Sequence, residues 1–200
     1  MIDTIIFDFG DVLEKIDYIS LAAEYTGDRI SAKKLFDSAV LTEHWRLYDA
    51  GINTQAQLIE LLKAELDRSM HTALEQFVTN IHRACTPYTE MYDVVKDLKQ
   101  RGKKIYLLSN FPEGVFERVA EPNRTLDFFD GLIVSYKLKM AKPEKQIFEY
   151  VLNEYNLKAE NCLFVDDTLK NIEVAKSLGF NTHHFTTAEN FKNSMCNFEL

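Results

Sequence analysis

The chain has 200 residues, of which 46% are hydrophobic and 27% are charged. This length and composition predict a globular protein with a full hydrophobic core and exclude a disordered or fibrous chain. The net charge of -8 disfavours nucleic acid binding, because the nucleic acid backbone is itself anionic.

The cysteines and the N-terminus predict a cytoplasmic protein. Cys85, Cys162 and Cys196 are widely spaced and odd in number, so they form neither a disulfide framework nor a Cys-x-x-Cys metal clamp. The apolar run near the N-terminus is too short for a signal peptide or a membrane span. We expect no membrane association, and a monomer or homodimer.

The first predicted element is a buried strand at residues 4–7. The next comparable run begins at residue 104, much further along the chain than one crossover helix requires. We therefore expect an insertion after the first strand, forming a small helical cap subdomain over residues 15–86. Apolar residues at helical spacing predict its helices at 18–25, 32–41, 54–67 and 73–83.

Strands and helices alternate through the rest of the chain. Short apolar runs predict strands at 104–108, 131–134, 162–165 and 181–185. Helical spacing predicts helices at 90–100, 144–154 and 171–178. This alternation predicts an α/β protein with a doubly wound parallel sheet. Residues 1–14 and 87–200 are expected to form this core domain.

Polar residues follow the predicted strands. Ligands of an open parallel sheet bind at the carboxyl ends of its strands, so these residues are the candidate site. They offer carboxylates, a hydroxyl, an amide and one cation, which suit magnesium-assisted phosphoryl transfer. The residues are Asp8, Asp11, Ser109, Asn110, Lys142, Asp166 and Asp167.

Four ordered segments resemble the four motifs of the haloacid dehalogenase superfamily. The resemblance covers about residues 2–185 and implies a Rossmann-like core that carries a hydrolase site. Each motif alone is weak, but four in order at strand ends are specific. The segments are Phe7-Asp8-Phe9-Gly10-Asp11-Val12-Leu13, Leu107-Leu108-Ser109-Asn110, Met140-Ala141-Lys142-Pro143 and Phe164-Val165-Asp166-Asp167.

The resemblance implies a phosphatase that acts on a small phosphorylated metabolite. Asp8 would attack phosphorus and become an aspartyl phosphate, which water then cleaves. Ser109 and the backbone amide of Asn110 would hold phosphate oxygens. Lys142 would pair with both the nucleophile and the phosphate.

The resemblance also implies Mg²⁺ as the cofactor. Asp8, the backbone carbonyl of Gly10 and Asp166 would bind the ion. Asp167 would either join these ligands or orient them through hydrogen bonds.

Gly10 departs from the family pattern, because most phosphatases of the family carry an aspartate there that protonates the leaving oxygen and activates water. A positioned acid or base contributes about 10²–10⁴ in rate, so we expect a slower enzyme rather than an inactive one. Asp11 lies one residue further on, and whether it replaces the missing group stays open. Some relatives in the superfamily with a similar Asp-x-Gly-x-Val motif hydrolyse sugar 1-phosphates, whose leaving oxygen needs little acid help.

Two alternatives remain open. A haloacid dehalogenase would use Asp8 to attack carbon and would need no metal. The adjacent carboxylates Asp166 and Asp167 favour the phosphatase, because they repel each other unless a cation compensates them. The other alternative is a catalytically disabled module that binds a phosphorylated ligand or a protein partner, because Gly10 replaces the usual acid.

Two further groups of residues are candidates for ligand contact. His44, Trp45, Arg46 and Tyr48 precede a predicted break at 49–53 and are candidates for substrate contact from the cap. Packing is the favoured role for Trp45, and an exposed helix charge is favoured for Arg46. The pair at 183–184 is not predicted to bind a metal, because neighbouring residues of a strand point to opposite faces.

Overall fold

The computed structural model describes residues 1–122, 124–198 and 200, and no side chain is described at 124 and 125. Every predicted strand is present within one or two residues of its expected bounds. The strands of this part of the chain are β1 (Thr4–Phe7), β2 (Glu14–Ile16), β3 (Cys85–Pro87), β4 (Lys104–Ser109), β5 (Gly131–Val134), β6 (Cys162–Asp166) and β7 (Asn181–His184).

The predicted helices are also present, with boundaries shifted by one to four residues. The α-helices are α1 (Tyr18–Thr26), α2 (Arg29–Ala39), α3 (Glu43–Asp49), α4 (Gln55–Glu65), α5 (His71–Thr79), α6 (Thr89–Gln100), α7 (Val115–Ala120), α8 (Ser135–Leu138), α9 (Lys145–Glu154), α10 (Leu169–Ser177) and α11 (Ala188–Ser194).

The predicted α/β fold is confirmed. A parallel five-stranded sheet has the order β5–β4–β1–β6–β7, with β1 at its centre. Side chains alternate between its two faces along each strand. Ile5 and Phe7 belong to one apolar cluster together with residues of α6 and α11, whereas Ile6 belongs to a second cluster together with residues of α9 and α10. Helices therefore cover both faces of the sheet, as the continuous apolar runs of the strands require.

The inserted helices (α1–α5) lie between β2 and β3. The side chains of Asp17, Asp28, Thr42 and Thr54 accept hydrogen bonds from backbone N–H groups at the starts of α1, α2, α3 and α4. These caps satisfy backbone donors that have no partner within a helix, and they fix where each helix begins. The division into a core domain and a cap subdomain at 15–86 remains a prediction.

Several short elements were not anticipated from the sequence. Strands β2 and β3 form an antiparallel pair where the chain enters and leaves the inserted helices. Their three residues each are too few for a periodic pattern. Helix α3 occupies the segment before the predicted break, and α11 lies in a C-terminal stretch with little sequence signal. No helix in the described part of the chain has the length and apolarity needed to cross a membrane.

Trp45 is the centre of the aromatic packing in the inserted helices. Its ring lies about 6 Å from those of Tyr18, Tyr48 and Phe77, and its side chain is buried. Because the cavity left by a truncated ring is not refilled, Trp45→Ala is expected to cost about 3–5 kcal/mol in the free energy of unfolding. Denaturant unfolding measures this loss.

Leu41→Ala is the matched control, because Leu41 is 68% exposed. We expect that variant to change stability by less than about 0.5 kcal/mol. Equal losses in the two variants would contradict the packing role of Trp45.

Candidate active site

The carboxyl ends of β1, β4 and β6 bring three of the predicted residues to one edge of the sheet. Phe7 is paired with Leu107 on one side and with Val165 on the other. Asp8 therefore emerges between Ser109 and Asp166, and its backbone N–H donates to the carbonyl of Val165 at 2.9 Å. The order of the strands, with β1 in the middle, places the candidate nucleophile at the centre of the site.

Lys142 is a buried cation between two carboxylates. Its Nζ lies 2.7 Å from Oδ1 of Asp8 and 2.7 Å from Oδ2 of Asp166, and the residue is only 3% exposed. Ion pairs that are shielded from water in this way are screened far less than surface pairs. The two carboxylates and the lysine therefore form one electrostatic unit.

Asn110 holds Lys142 in place. Its side-chain Nδ2 donates to the backbone carbonyl of Lys142, and its Oδ1 accepts from the backbone N–H of Lys142, both at 2.8 Å. The sequence predicts a phosphate contact for the backbone amide of Asn110. The side chain has a separate role, which is to brace Lys142. Sequence reasoning did not anticipate that role, because the two residues are 32 positions apart.

Asp166 accepts three further hydrogen bonds from two donor groups. The backbone N–H of Thr168 donates to its Oδ1 at 2.8 Å, and Asn171 Nδ2 donates at 3.0 and 3.1 Å to its two oxygens. Asn171 was not singled out from the sequence. Its only signal is an amide at the start of a helix that follows a motif carboxylate. These bonds fix the orientation of the carboxylate beside Lys142.

Asp8, Asp166 and Asp167 form a group of carboxylates that fits a metal ion. One oxygen from each lies within 4.8 Å of the others. Carboxylate oxygens suit Mg²⁺, which is usually bound through one or two carboxylates and completes its coordination with water and phosphate oxygens. The residues present therefore match the predicted cofactor by the chemistry of their donors.

Burial sets the protonation behaviour of the site. It raises the pKa of Asp8 above the usual range, against the lowering effect of Lys142, and Asp166 and Asp167 raise it further. The pKa of Asp167 is raised to about 6 by burial first and then by the charges of Asp166 and Asp11. Burial alone would lower the pKa of Lys142, but Asp166 and Asp8 raise it. This cluster has more buried negative charge than its own lysine balances.

Ser109 has a buried hydroxyl with no hydrogen-bond partner among the described residues. A buried polar group without a partner is costly, and such groups in native proteins call for a specific explanation. The hydroxyl sits at the end of β4 next to the strand that carries Asp8. A ligand oxygen would give it a partner.

A side chain at position 10 would require the end of the Ile16 side chain to move. A Cβ on Gly10 would lie 2.8 Å from the terminal Cδ1 of Ile16. Asp11 has a positive φ of 54°, and its carboxylate accepts a hydrogen bond from the Ile16 backbone at 3.0 Å. The Asp11 carboxylate is thus engaged at β2, and no interaction with Asp8 is seen for it. Its role as a replacement acid stays open.

The candidate contact residues of the insertion have different environments. Trp45 and Tyr48 are buried, and the burial of Trp45 agrees with the packing role that was favoured for it. Arg46 pairs with Glu43 and also with Glu144, 2.7 Å away, just before α9. Its charge therefore joins the inserted helices to the loop that follows Lys142, a contact the sequence did not predict. His44 pairs with an exposed glutamate, Glu65.

The two neighbouring histidines do not form a metal pair. His183 packs against the rings of Phe191 and Phe198 on one side of β7, whereas Nε2 of His184 lies 2.8 Å from the carbonyl of Asp167. They point in different directions, as the strand geometry predicted.

Residues 2–179 match the haloacid dehalogenase-like hydrolase family. The chain belongs to this family. A D-ribitol-5-phosphate phosphatase of Bacteroides thetaiotaomicron is 27% identical over 195 residues, which cover 91% of each chain. An (S)-2-haloacid dehalogenase of Pseudomonas putida is 24% identical over 90% of this chain and 82% of that protein. Family membership alone therefore does not choose between attack at phosphorus and attack at carbon.

One relative matches over a shorter region. A sesquiterpene phosphatase of Aspergillus oryzae is 32% identical over 100 residues, which are 50% of this chain and 51% of that protein. The chain thus spans about half the length of that family member. Among solved structures, a family enzyme from Bacteroides thetaiotaomicron in complex with magnesium and inorganic phosphate superimposes with a TM-score of 0.75, at 23% identity over 93% of this chain and 95% of that chain. This similarity establishes a shared fold.

Proposed function

We propose that the protein is a magnesium-dependent phosphomonoester hydrolase that acts on a small phosphorylated metabolite. The observation that carries this proposal is the buried contact of Lys142 with both Asp8 and Asp166, next to a third carboxylate on Asp167. This arrangement has a nucleophile, a metal-binding pair and a cation at one edge of the sheet. Phosphoryl transfer requires little more than such positioning and charge.

The metal site in this proposal consists of oxygen donors. Asp8, the Gly10 carbonyl, Asp166 and Asp167 would hold Mg²⁺. The ion would supply positive charge against the phosphate oxygens and so favour attack by an anionic nucleophile. The retained carboxylate pair favours this chemistry over dehalogenation, which needs no metal.

The residues of the chain carry out the covalent steps. An oxygen of Asp8 forms a bond to phosphorus while the bond from phosphorus to the leaving oxygen breaks, and that oxygen takes a proton from water. Water then attacks the aspartyl phosphate, which releases phosphate and regenerates Asp8. The Ser109 hydroxyl and the Asn110 backbone N–H hold phosphate oxygens, and Lys142 neutralises them.

The leaving group has no carboxylic acid at position 10 to protonate it. Substrates whose leaving oxygen is stable as an anion should therefore react fastest, and sugar 1-phosphates meet this condition. A cap over residues 15–86 would shield the acyl phosphate from bulk water. The phosphatase relatives, and the complex of the similar structure with magnesium and phosphate, support the assignment of phosphatase activity.

The decisive experiment is hydrolysis of p-nitrophenyl phosphate by the purified protein. We expect turnover with Mg²⁺, because the p-nitrophenolate leaving group needs no protonation. We expect this turnover to be lost when EDTA removes the metal. A panel of 2-haloacids assayed without metal is the matched alternative. Turnover of the haloacids but not of the phosphate ester would replace the proposal with dehalogenation, and no turnover of either would indicate a binding module.

A further inference from the structure

Ser135 is a fully buried serine that directly follows β5 and lies outside the four motif segments. Val134, just before it, is paired with Ser109 of β4, so Ser135 emerges beside the loop that follows β4. Its Oγ accepts a hydrogen bond from the backbone N–H of Phe111 at 3.0 Å. The same hydroxyl donates to the backbone carbonyl of Asp49, the last residue of α3. One side chain therefore joins the loop that follows β4 to the end of α3.

Phe111 connects the position of this loop to the nucleophile. It follows Ser109 and Asn110, the two residues proposed to hold phosphate oxygens. The centre of its ring lies 5.5 Å from that of Phe9 in an edge-to-face contact, and the backbone N–H of Phe9 donates to Oδ1 of Asp8 at 2.7 Å. A displacement of the Phe111 backbone would therefore move the phosphate donors and also disturb the packing beside Asp8.

Two further contacts hold the end of α3 against the core. Arg46 of α3 pairs with Glu144 at 2.7 Å, in the loop that follows Lys142. Lys139 Nζ, just after α8, donates to the backbone carbonyl of Gly51. The end of α3 therefore rests on the loop that carries Lys142 as well as on the loop that follows β4.

The hydroxyl of Ser135 has a second acceptor within the core. A serine hydroxyl donates only one proton. The carbonyl of Asp49 lies 2.5 Å from Oγ, whereas the carbonyl of Phe111 lies 3.4 Å away. The proton points to Asp49 while α3 is docked, and it can turn to Phe111 when α3 moves away. Because the buried donor keeps an acceptor in both arrangements, this contact can break and re-form at low cost.

We propose that Ser135 is a positioning residue that couples the docking of α3 to the geometry of the loop that follows β4. This inference rests on the proposed function. While α3 is docked, one hydroxyl holds the Phe111 N–H and the Asp49 carbonyl together and so fixes the donors of Ser109 and Asn110. The coupling is reciprocal, so phosphate bound at those donors favours the docked position of α3.

The first test is Ser135→Ala, assayed with p-nitrophenyl phosphate and Mg²⁺. The variant is expected to lose at least about tenfold in kcat with a smaller change in KM, because displaced donors lose more of their fit to the transition state than to the bound substrate. Ser177→Ala removes an exposed hydroxyl that bonds within α10, and it is expected to keep the wild-type values. A merely structural role would lower the unfolding temperature and leave the kcat of the folded protein unchanged.

The second test measures the coupling itself by amide hydrogen exchange at residues 47–53. The backbone N–H groups of Gly51 and Ile52 are hydrogen-bonded within this segment, so their exchange reports its opening. Saturating inorganic phosphate with Mg²⁺ is expected to slow this exchange at least about threefold in wild type. Ser135→Ala, saturated in the same way, is expected to lose most of this slowing.

Gly51→Ala tests the same coupling from the inserted helices and leaves every core residue intact. A Cβ at this position would lie 2.7 Å from the Tyr136 carbonyl, so the end of α3 has to move away from α8. We expect the same loss of kcat, although the Ser135 hydroxyl is retained. This variant decides the question if Ser135→Ala does not fold.

The outcomes separate this inference from the proposed function. Wild-type kcat in both Ser135→Ala and Gly51→Ala overturns the inference alone. A loss of kcat in Ser135→Ala with the phosphate-dependent slowing retained would limit Ser135 to holding the loop and would overturn the coupling. Absence of p-nitrophenyl phosphate hydrolysis in wild type contradicts the proposed function and this inference with it.

Discussion

Asp8→Asn is expected to lower the turnover of p-nitrophenyl phosphate by at least about 10⁴-fold in the presence of Mg²⁺. The amide is close in shape to the carboxylate but is a poor nucleophile and lacks the charge that binds the metal. The remaining catalysis would come only from Lys142, Ser109 and the binding of the phosphate. Initial rates with chelator and with Mg²⁺ measure this change.

A loss of activity in Asp8→Asn indicates the loss of the nucleophile only if this variant is folded. Burial raises the pKa of Asp8, so the folded protein gains nothing from its charge when metal is removed. In EDTA, Asp8→Asn is expected to unfold at the wild-type temperature or above it. Activity above about 1% of wild type would contradict the role of Asp8 as the nucleophile.

Lys142→Met is expected to lower both activity and stability. The substitution leaves Asp8 and Asp166 as buried carboxylates without their shared cation, and removing one partner of a buried ion pair costs about 3–5 kcal/mol. The rate on p-nitrophenyl phosphate should fall at least about 10³-fold, because the phosphate oxygens lose their cation. Denaturant unfolding in EDTA measures the loss in the free energy of unfolding.

The pH dependence distinguishes the charge from simple packing. Without Lys142, the pKa of Asp8 rises further above its unfolded value, so the folded state holds its proton more tightly. Because the pKa of Asp8 in wild type is already raised to about 8, both proteins hold this proton at lower pH, and the part of the destabilisation that comes from the charge of Asp8 should grow as pH rises through about 8. Lys145→Met, at an exposed position on α9, is the control and should be close to wild type. A loss from Lys142→Met that is constant with pH would contradict the electrostatic role.

The sequence predicted the sheet because its strands are short, apolar and followed by polar residues. Strands β1 and β6 are buried along their whole length, so their composition alone identified them. The motif residues Asp8, Ser109 and Asp166 were identifiable because each directly follows, or lies in the last position of, such a run. Their convergence follows from the rule that strand ends meet at one edge of a parallel sheet.

The residues that support the site were not predictable in the same way. Asn110 and Asn171 act through side-chain hydrogen bonds to partners at other positions, and a lone amide carries no pattern that indicates its partner.

The packing around Gly10 bears on which residues position 10 can accept. A carboxylate introduced there by Gly10→Asp would have to displace the terminal methyl of Ile16. Because this methyl is the end of a flexible side chain, the displacement costs little, and a single substitution is enough to restore a carboxyl at this position.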